Sequence, residues 1–146
     1  MMFLGEFRHS IDAKGRLAIP ARFRPDLMEG LVVTRGLDPC LHIYPRSEWE
    51  PLAERLSGLP MSEPAVRMLR RSFFASAFAC EMDKQGRILI PASLREYATF
   101  DSEVVVAGLN NYIEVWSVER WDQDIPELET GMSSLAEQLA NLGIVF

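Results

Sequence analysis

Seven basic side chains gathered around two short glycine turns are the residues whose type and spacing could do chemistry. The first turn is Asp12-Ala13-Lys14-Gly15-Arg16 and the second is Asp83-Lys84-Gln85-Gly86-Arg87. Arg8, Arg22 and Arg24 flank the first turn, and with Lys14, Arg16, Lys84 and Arg87 they make up the set. The chemistry open to them is anion recognition. An arginine that follows a tight turn sits at the rim of a sheet, where its fork can reach a phosphate or a guanine edge. Arg16 has a second possible role, an ion pair with Asp12 that closes the turn. Lys14 at the turn tip has no packing role to fill, and its default is a solvated loop lysine.

The turns explain their own residue types. Asp at the first position and Gly at the fourth are type I preferences. The carboxylates of Asp12 and Asp83 can accept hydrogen bonds from the backbone donors just after them. Gly15 and Gly86 complete the turns. Each turn runs into the same continuation, Ile19-Pro20-Ala21 in one case and Ile90-Pro91-Ala92 in the other, and Arg24 is then matched by Arg95. Asp, Gly, Arg, Pro and the later Arg all recur at a spacing of 71 residues, so this is an internal repeat. Gly36-Leu37-Asp38 and Gly108-Leu109-Asn110 extend it at a spacing of 72, as do Trp49 and Trp121.

Charge divides the chain. The net charge is −6, yet residues 1–100 hold 14 basic and 12 acidic side chains, a balance of +2. Residues 101–146 hold one basic and nine acidic, a balance of −8. This is the pattern of a basic working surface with an acidic segment set apart from it. The window from Arg8 to Arg24 carries +4, and its counterpart from Ala79 to Arg95 carries +1.

The elements that must position these residues follow from periodicity. Residues 3–11 alternate as a half-buried strand, with Phe3, Phe7 and Ile11 on one face. Leu17-Ala18-Ile19 makes a short strand. Pro20 suits the start of a helix that Pro25 cuts short by pushing Arg24 toward an extended conformation. Leu31 to Arg35 and Cys40 to Tyr44 form a hairpin. A helix capped by Ser47 and a second from Glu63 to Ala77 lie between the copies. Arg67, Arg70 and Arg71 stripe the second helix and read as a solvated or intersubunit ion-pairing face.

The second copy repeats the plan with a strand at Phe78 to Met82, the strand Ile88-Leu89-Ile90 and a helix from Pro91 to about Ala98. A hairpin then turns around Gly108 to Asn111. A final amphipathic helix runs from about Ser133 to Leu142. The expected organisation is a first half at 1–50, connecting helices at 51–77, a second half at 78–122 and an acidic carboxy-terminal segment at 123–146. Neither half can bury its own sheet. Pairing them predicts a mixed α+β, β-rich fold, a β-barrel-like core with peripheral helices and a pseudo-two-fold axis.

Other functions find little support. His9 and His42 are the only histidines, and no phosphate loop or nucleophile elbow is present. No carboxylates converge by spacing on a catalytic metal, so no enzyme, cofactor or small-molecule substrate is expected. Cys40 and Cys80 lack partners at metal spacing. Their separation leaves a disulfide open, and two half-buried thiols in a reducing compartment are the expected state. No apolar run approaches the roughly 20 residues that span a bilayer, and no signal pattern is seen at the amino terminus, so a cytoplasmic chain without membrane contact is expected.

The paired Asp-x-x-x-Arg turns, each with Gly before the Arg and Ile-Pro-Ala after it, closely resemble the MraZ proteins, bacterial transcription regulators built from two SpoVT-AbrB-like halves. The resemblance runs from Phe3 to the last helix. It implies a double-split, swapped-hairpin barrel, homo-oligomeric rings, and nucleoid-associated binding of double-stranded DNA at short direct repeats in the promoter of a division and cell-wall gene cluster. The DNA-binding Arg of the motif corresponds to Arg16, with Arg87 as its second-half equivalent. An AbrB-type antitoxin-like module that binds DNA with a protein partner is the competing class. Ile88-Leu89-Ile90 reads as buried on both faces. On that ground Arg16 is expected to carry DNA binding, and Arg87 mainly stability or assembly.

Overall fold

The computed structural model describes residues 2–144, with 125–130 described in backbone alone. Its strands are β1 (Phe3–Ser10), β2 (Arg16–Ala18), β3 (Leu31–Arg35), β4 (Leu41–Pro45), β5 (Phe78–Cys80), β6 (Arg87–Leu89), β7 (Glu103–Asn110) and β8 (Ile113–Ser117). The helices are α1 (Arg46–Ser57), α2 (Pro64–Ala75), α3 (Ala92–Tyr97) and α4 (Val118–Asn141), with two 3-10 turns at Ala21–Phe23 and Pro25–Leu27. The fold is mixed α and β, as expected. One antiparallel six-stranded sheet runs in the order β1-β7-β8-β4-β3-β5, and β2 and β6 form a separate two-stranded ribbon.

The pairings interleave the two copies. By the repeat, β1 to β4 correspond to β5 to β8. Strand β1 pairs with β7 of the other copy, β5 pairs with β3, β2 with β6 and β4 with β8. Each amino-terminal strand therefore lies on the opposite copy's hairpin. This exchange lets both halves share one core, in which Phe3, Leu17, Ile19, Phe23 and Ile43 pack in the same cluster as Ile88, Ile90, Leu94, Val104 and Ile113. The copies differ before their turns, since β1 has eight residues and β5 only three.

The helices between the copies join the packing through aromatic contacts. Trp49 of α1 stacks on Phe73 of α2 at 5.4 Å between ring centroids, and Tyr44 of β4 meets both rings. Trp116 and Trp121 pack with Cys40 and Val105 in a smaller cluster. Both cysteines are free thiols. Burial raises both pKa values, that of Cys80 to about 11, so neither is a reactive thiolate at neutral pH. Among the described residues, no helix is long and apolar enough to cross a membrane.

Several local expectations are corrected. Arg24 is helical (φ −60, ψ −42) despite Pro25, because it joins two successive 3-10 turns and Pro25 opens the second, where no donor is needed. Helix α1 starts at Arg46 behind Pro45, so Ser47 lies inside its first turn and caps nothing. Strand β7 continues to Asn110, whose positive φ of 70 makes the turn, so Gly108 sits within a strand. The last helix starts at Val118, where the Ser117 side chain accepts a hydrogen bond from the Arg120 amide, and it is 24 residues long.

Candidate nucleic-acid interface

Each turn is closed by its aspartate in the same way. Asp12 Oδ1 accepts from the amides of Lys14 and Arg16 at 3.0 and 2.9 Å, and Oδ2 accepts from Arg16 Nε at 2.6 Å. Asp83 Oδ1 accepts from Gln85 and Arg87 at 2.9 Å each, and Oδ2 from Arg87 Nε at 2.9 Å. Hydrogen bonds from the backbone amides of Arg16 and Arg87 are the main cause holding each carboxyl below its ordinary pKa, against an opposing cost of desolvation. Both stay ionised at neutral pH.

The ion pair and the solvent-facing arginine, the two roles open for Arg16, coexist. Among the described residues the Arg16 and Arg87 side chains use only Nε within the chain. The pairing fixes the stem, while Nη1 and Nη2 lie at the free end. Side-chain exposure is 39% for Arg16 and 32% for Arg87. A guanidinium with an anchored stem loses little entropy when its fork meets a planar anion.

The ribbon sets the two arginines side by side. Arg16 pairs with Leu89, Leu17 with Ile88 and Ala18 with Arg87. Alternation then places Arg16, Ala18, Arg87 and Leu89 on one face and Leu17 and Ile88 on the other. Leu17 and Ile88 are buried in the core, while Leu89 is 51% exposed. The expectation that Ile88-Leu89-Ile90 is buried on both faces is thus overturned. The ribbon covers the core with one side only, and its outer side carries both arginines as diagonal neighbours, a relation that spaces residues about 7–8 Å apart.

Two further arginines hold the turns from beneath. The Ile19 amide donates to the Gly86 carbonyl at 2.9 Å, and the Ile90 amide to the Gly15 carbonyl at 2.8 Å, a reciprocal exchange. Arg24 Nε donates to the Ile19 carbonyl at 2.8 Å, and Arg95 Nε to the Ile90 carbonyl at 3.0 Å. Each guanidinium lies against the opposite turn's glycine. A Cβ on Gly86 would stand 2.3 Å from Arg24 Nε, and one on Gly15 would stand 2.9 Å from Arg95 Nε. Both glycines also have positive φ, 90 degrees at Gly15 and 74 degrees at Gly86, so glycine is required twice over.

Arg24, read from the sequence as part of the basic surface, is therefore a half-buried support for the second turn. Its counterpart Arg95 escaped that set, although the 71-residue spacing pointed to it. Truncating either removes a hydrogen bond to a carbonyl beneath a turn, at a cost of about 1–3 kcal/mol. Arg24→Ala and Arg95→Ala are expected to lower Tm by similar amounts, roughly 3–8 °C, read by thermal unfolding at equal protein concentration. Unchanged melting in both variants would contradict this role.

The other basic residues divide. Lys14, Lys84 and Arg22 are exposed on the turns and on the first 3-10 turn. Arg8 of β1 forms an exposed ion pair with Asp122 of α4 at 2.8 Å, which raises its pKa. The acidic segment thus reaches one member of the basic set within the chain. On α2, Arg67 donates to the carbonyls of Met61 and Ser62, and Arg70 lies over the Phe74 ring.

Two stretches of the chain, residues 2–72 and 73–142, each match the family model described as "MraZ protein, putative antitoxin-like". A protein named transcriptional regulator MraZ from Desulfitobacterium hafniense (strain DSM 10664 / DCB-2) is 50% identical over 143 residues, 98% of this chain and 100% of that protein. Proteins of the same name from Desulforamulus reducens and Herpetosiphon aurantiacus are 48% and 49% identical, over 97% and 98% of this chain and 99% and 100% of their own lengths.

Proposed function

Because the chain belongs to the MraZ family, which matches both of its halves, we propose that it is a sequence-specific, double-stranded-DNA-binding transcriptional regulator. The observation that carries this reading is the shared outer face of β2 and β6, where the partly exposed Arg16 and Arg87 stand together with their stems anchored through Nε. Lys14, Lys84 and Arg22 surround them as phosphate contacts, and Arg16 and Arg87 take the base edges. The strand exchange between the copies supports the double-split, swapped-hairpin barrel. The target is the promoter of the chain's own division and cell-wall gene cluster, in the nucleoid of the cytoplasm.

One ribbon offers few contacts. Affinity then comes from a homo-oligomeric ring whose subunits engage successive direct repeats, the second and later contacts being intramolecular. Anisotropy titration on DNA upstream of the chain's own gene, at two salt concentrations, tests both parts. A tandem array is expected to bind far more tightly than one repeat, with log K falling by about 0.9 per phosphate contact for each tenfold rise in salt. Absent or salt-independent binding contradicts DNA recognition, and equal affinity for one repeat and the array contradicts multivalency.

The description of the matching family model favours a second reading, an AbrB-type antitoxin-like module that binds DNA together with a protein partner. Stoichiometric co-purification of a small toxin with the chain would favour it over the ring.

A further inference from the structure

Strands β4 and β8 meet at the centre of the sheet, and His42 pairs there with Glu114. The two residues are 72 positions apart, the spacing of the repeated hairpins, so they are the same position in the two copies. The pair marks the line where the halves join. Cys40 lies two residues before His42, just ahead of β4. Neither the DNA interface nor the turn supports use any of the three.

Their donor atoms converge. His42 Nε2 is 3.4 Å from Glu114 Oε2, Cys40 Sγ is 3.8 Å from the same oxygen, and all three atoms lie within 4.8 Å of one another. At 3.4 Å the His42–Glu114 separation is long for an N–H···O hydrogen bond, which favours about 2.7–3.2 Å, while at 3.8 Å the Cys40 thiol is within the longer reach of a sulfur donor to the carboxylate. The two separations from Glu114 Oε2 suit the edges of a tetrahedron around a cation with bonds of about 2.0–2.3 Å, which run about 3.3–3.8 Å, while the Cys40 and His42 donors, within 4.8 Å, would draw together to complete the third edge.

The atoms not facing this point are held from behind. His42 Nδ1 is 2.8 Å from the Tyr44 hydroxyl, and Trp116 Nε1 donates to Glu114 Oε1 at 3.0 Å. Such outer hydrogen bonds orient imidazole and carboxylate ligands in metal sites. A Cβ on Gly36 would stand 2.7 Å from Cys40 Sγ and 2.8 Å from His42 Nε2, so glycine keeps the approach to both donors open. A cavity of about 310 Å³ lined by Leu37, His42, Tyr44 and Tyr112 reaches the cluster at His42.

We propose that Cys40, His42 and Glu114 form a binding site for a borderline-soft divalent cation of the zinc class, which links the hairpins of the two copies. One thiolate, one imidazole and one carboxylate make a donor set that suits Zn²⁺ and disfavours Mg²⁺ and Ca²⁺. On binding, the Cys40 thiol releases its proton to solvent and water takes the fourth position. Spacing in the sequence gave no metal set because Glu114 joins only through the β4·β8 register.

The test uses the full chain stripped with a chelator and titrated with Co²⁺, then with Zn²⁺. Wild type is expected to take up one Co²⁺ per chain, with a thiolate-to-cobalt charge-transfer band and tetrahedral d–d bands, and to lose them on addition of Zn²⁺. Cys80→Ser is expected to behave as wild type. Cys40→Ser is expected to lose the charge-transfer band, and Glu114→Gln to bind at least tenfold more weakly. Zn²⁺ is expected to raise Tm of wild type and Cys80→Ser and not of Cys40→Ser, with Mg²⁺ raising none. No stoichiometric uptake by wild type, or a charge-transfer band that follows Cys80, overturns the proposal. Wild type and Cys80→Ser decide it even where another variant fails to fold.

Discussion

Arg16→Ala combined with Arg87→Ala is expected to abolish specific DNA binding while the chain stays folded. The Asp12 and Asp83 carboxylates keep their backbone hydrogen bonds when the arginine side chains go, so both turns still close. Each arginine that forks onto a guanine edge is worth about 1–3 kcal/mol of discrimination, or roughly 5- to 150-fold at 1.4 kcal/mol per tenfold. Each single variant is therefore expected to weaken binding by about one to two orders of magnitude. Arg16→Lys is expected to recover part of the loss at most, since an ammonium keeps the charge without the fork. Anisotropy titration with circular dichroism as the folding control reads this. Wild-type affinity in Arg87→Ala would return the second turn to a purely structural role.

Gly108→Ala is expected to have the largest effect on stability. Gly108 lies opposite Gly5 in the β1·β7 pairing. A Cβ there would stand 2.4 Å from the Phe3 carbonyl carbon and 2.6 Å from the Leu4 amide nitrogen. Both are backbone atoms, which cannot rotate aside as a side chain can, so β1 must lift from the sheet. Phe3 is fully buried at the end of β1 and packs edge-on to Phe23 at 5.3 Å. Withdrawing it forfeits about 1.5–3 kcal/mol of apolar burial, before the lost pairing of the strand is counted.

The expected destabilisation of Gly108→Ala is at least about 3 kcal/mol, measured by urea and thermal unfolding at matched concentration. Gly131→Ala is the control. Among the described residues, nothing lies within 4 Å of a Cβ built there in α4, and alanine should be neutral or slightly stabilising. Equal melting of Gly108→Ala and wild type would contradict the β1·β7 register.

What the sequence disclosed depended on the range of the interactions. The Asp and Gly turns were legible because a carboxylate two to four residues from its amides closes a turn with no outside help, and the structure has those hydrogen bonds in both copies. The repeat was legible from spacing, and with it came the requirement that the halves share a core. Leu89 was misread because an Ile-Leu-Ile run gives no sign of which face is covered. Only the pairing of β2 with β6 shows that this two-stranded ribbon has one side on the core and one outside.

The supporting role of Arg24 was missed for a related reason. Its basic charge is local information, whereas its contact with Gly86 crosses 62 residues and exists only once the copies interleave. Ser47 followed a propensity that Pro45 and Arg46 overrode by starting α1 earlier. The beginning of α4 was missed because its amphipathic pattern was read only from about Ser133, while Ser117 caps the helix at Val118.

On the proposed function, the outer face of the β2·β6 ribbon is the surface that meets DNA. Photo-crosslinking checks this, with a photoreactive side chain placed in turn at Ala13, Gln85 and Met68. Ala13 and Gln85 are exposed on the two turns, and Met68 is exposed on the arginine-striped helix α2. Irradiation with upstream DNA is expected to give covalent adducts at Ala13 and Gln85 and none at Met68. Adducts at Met68 with none at either turn would contradict the account.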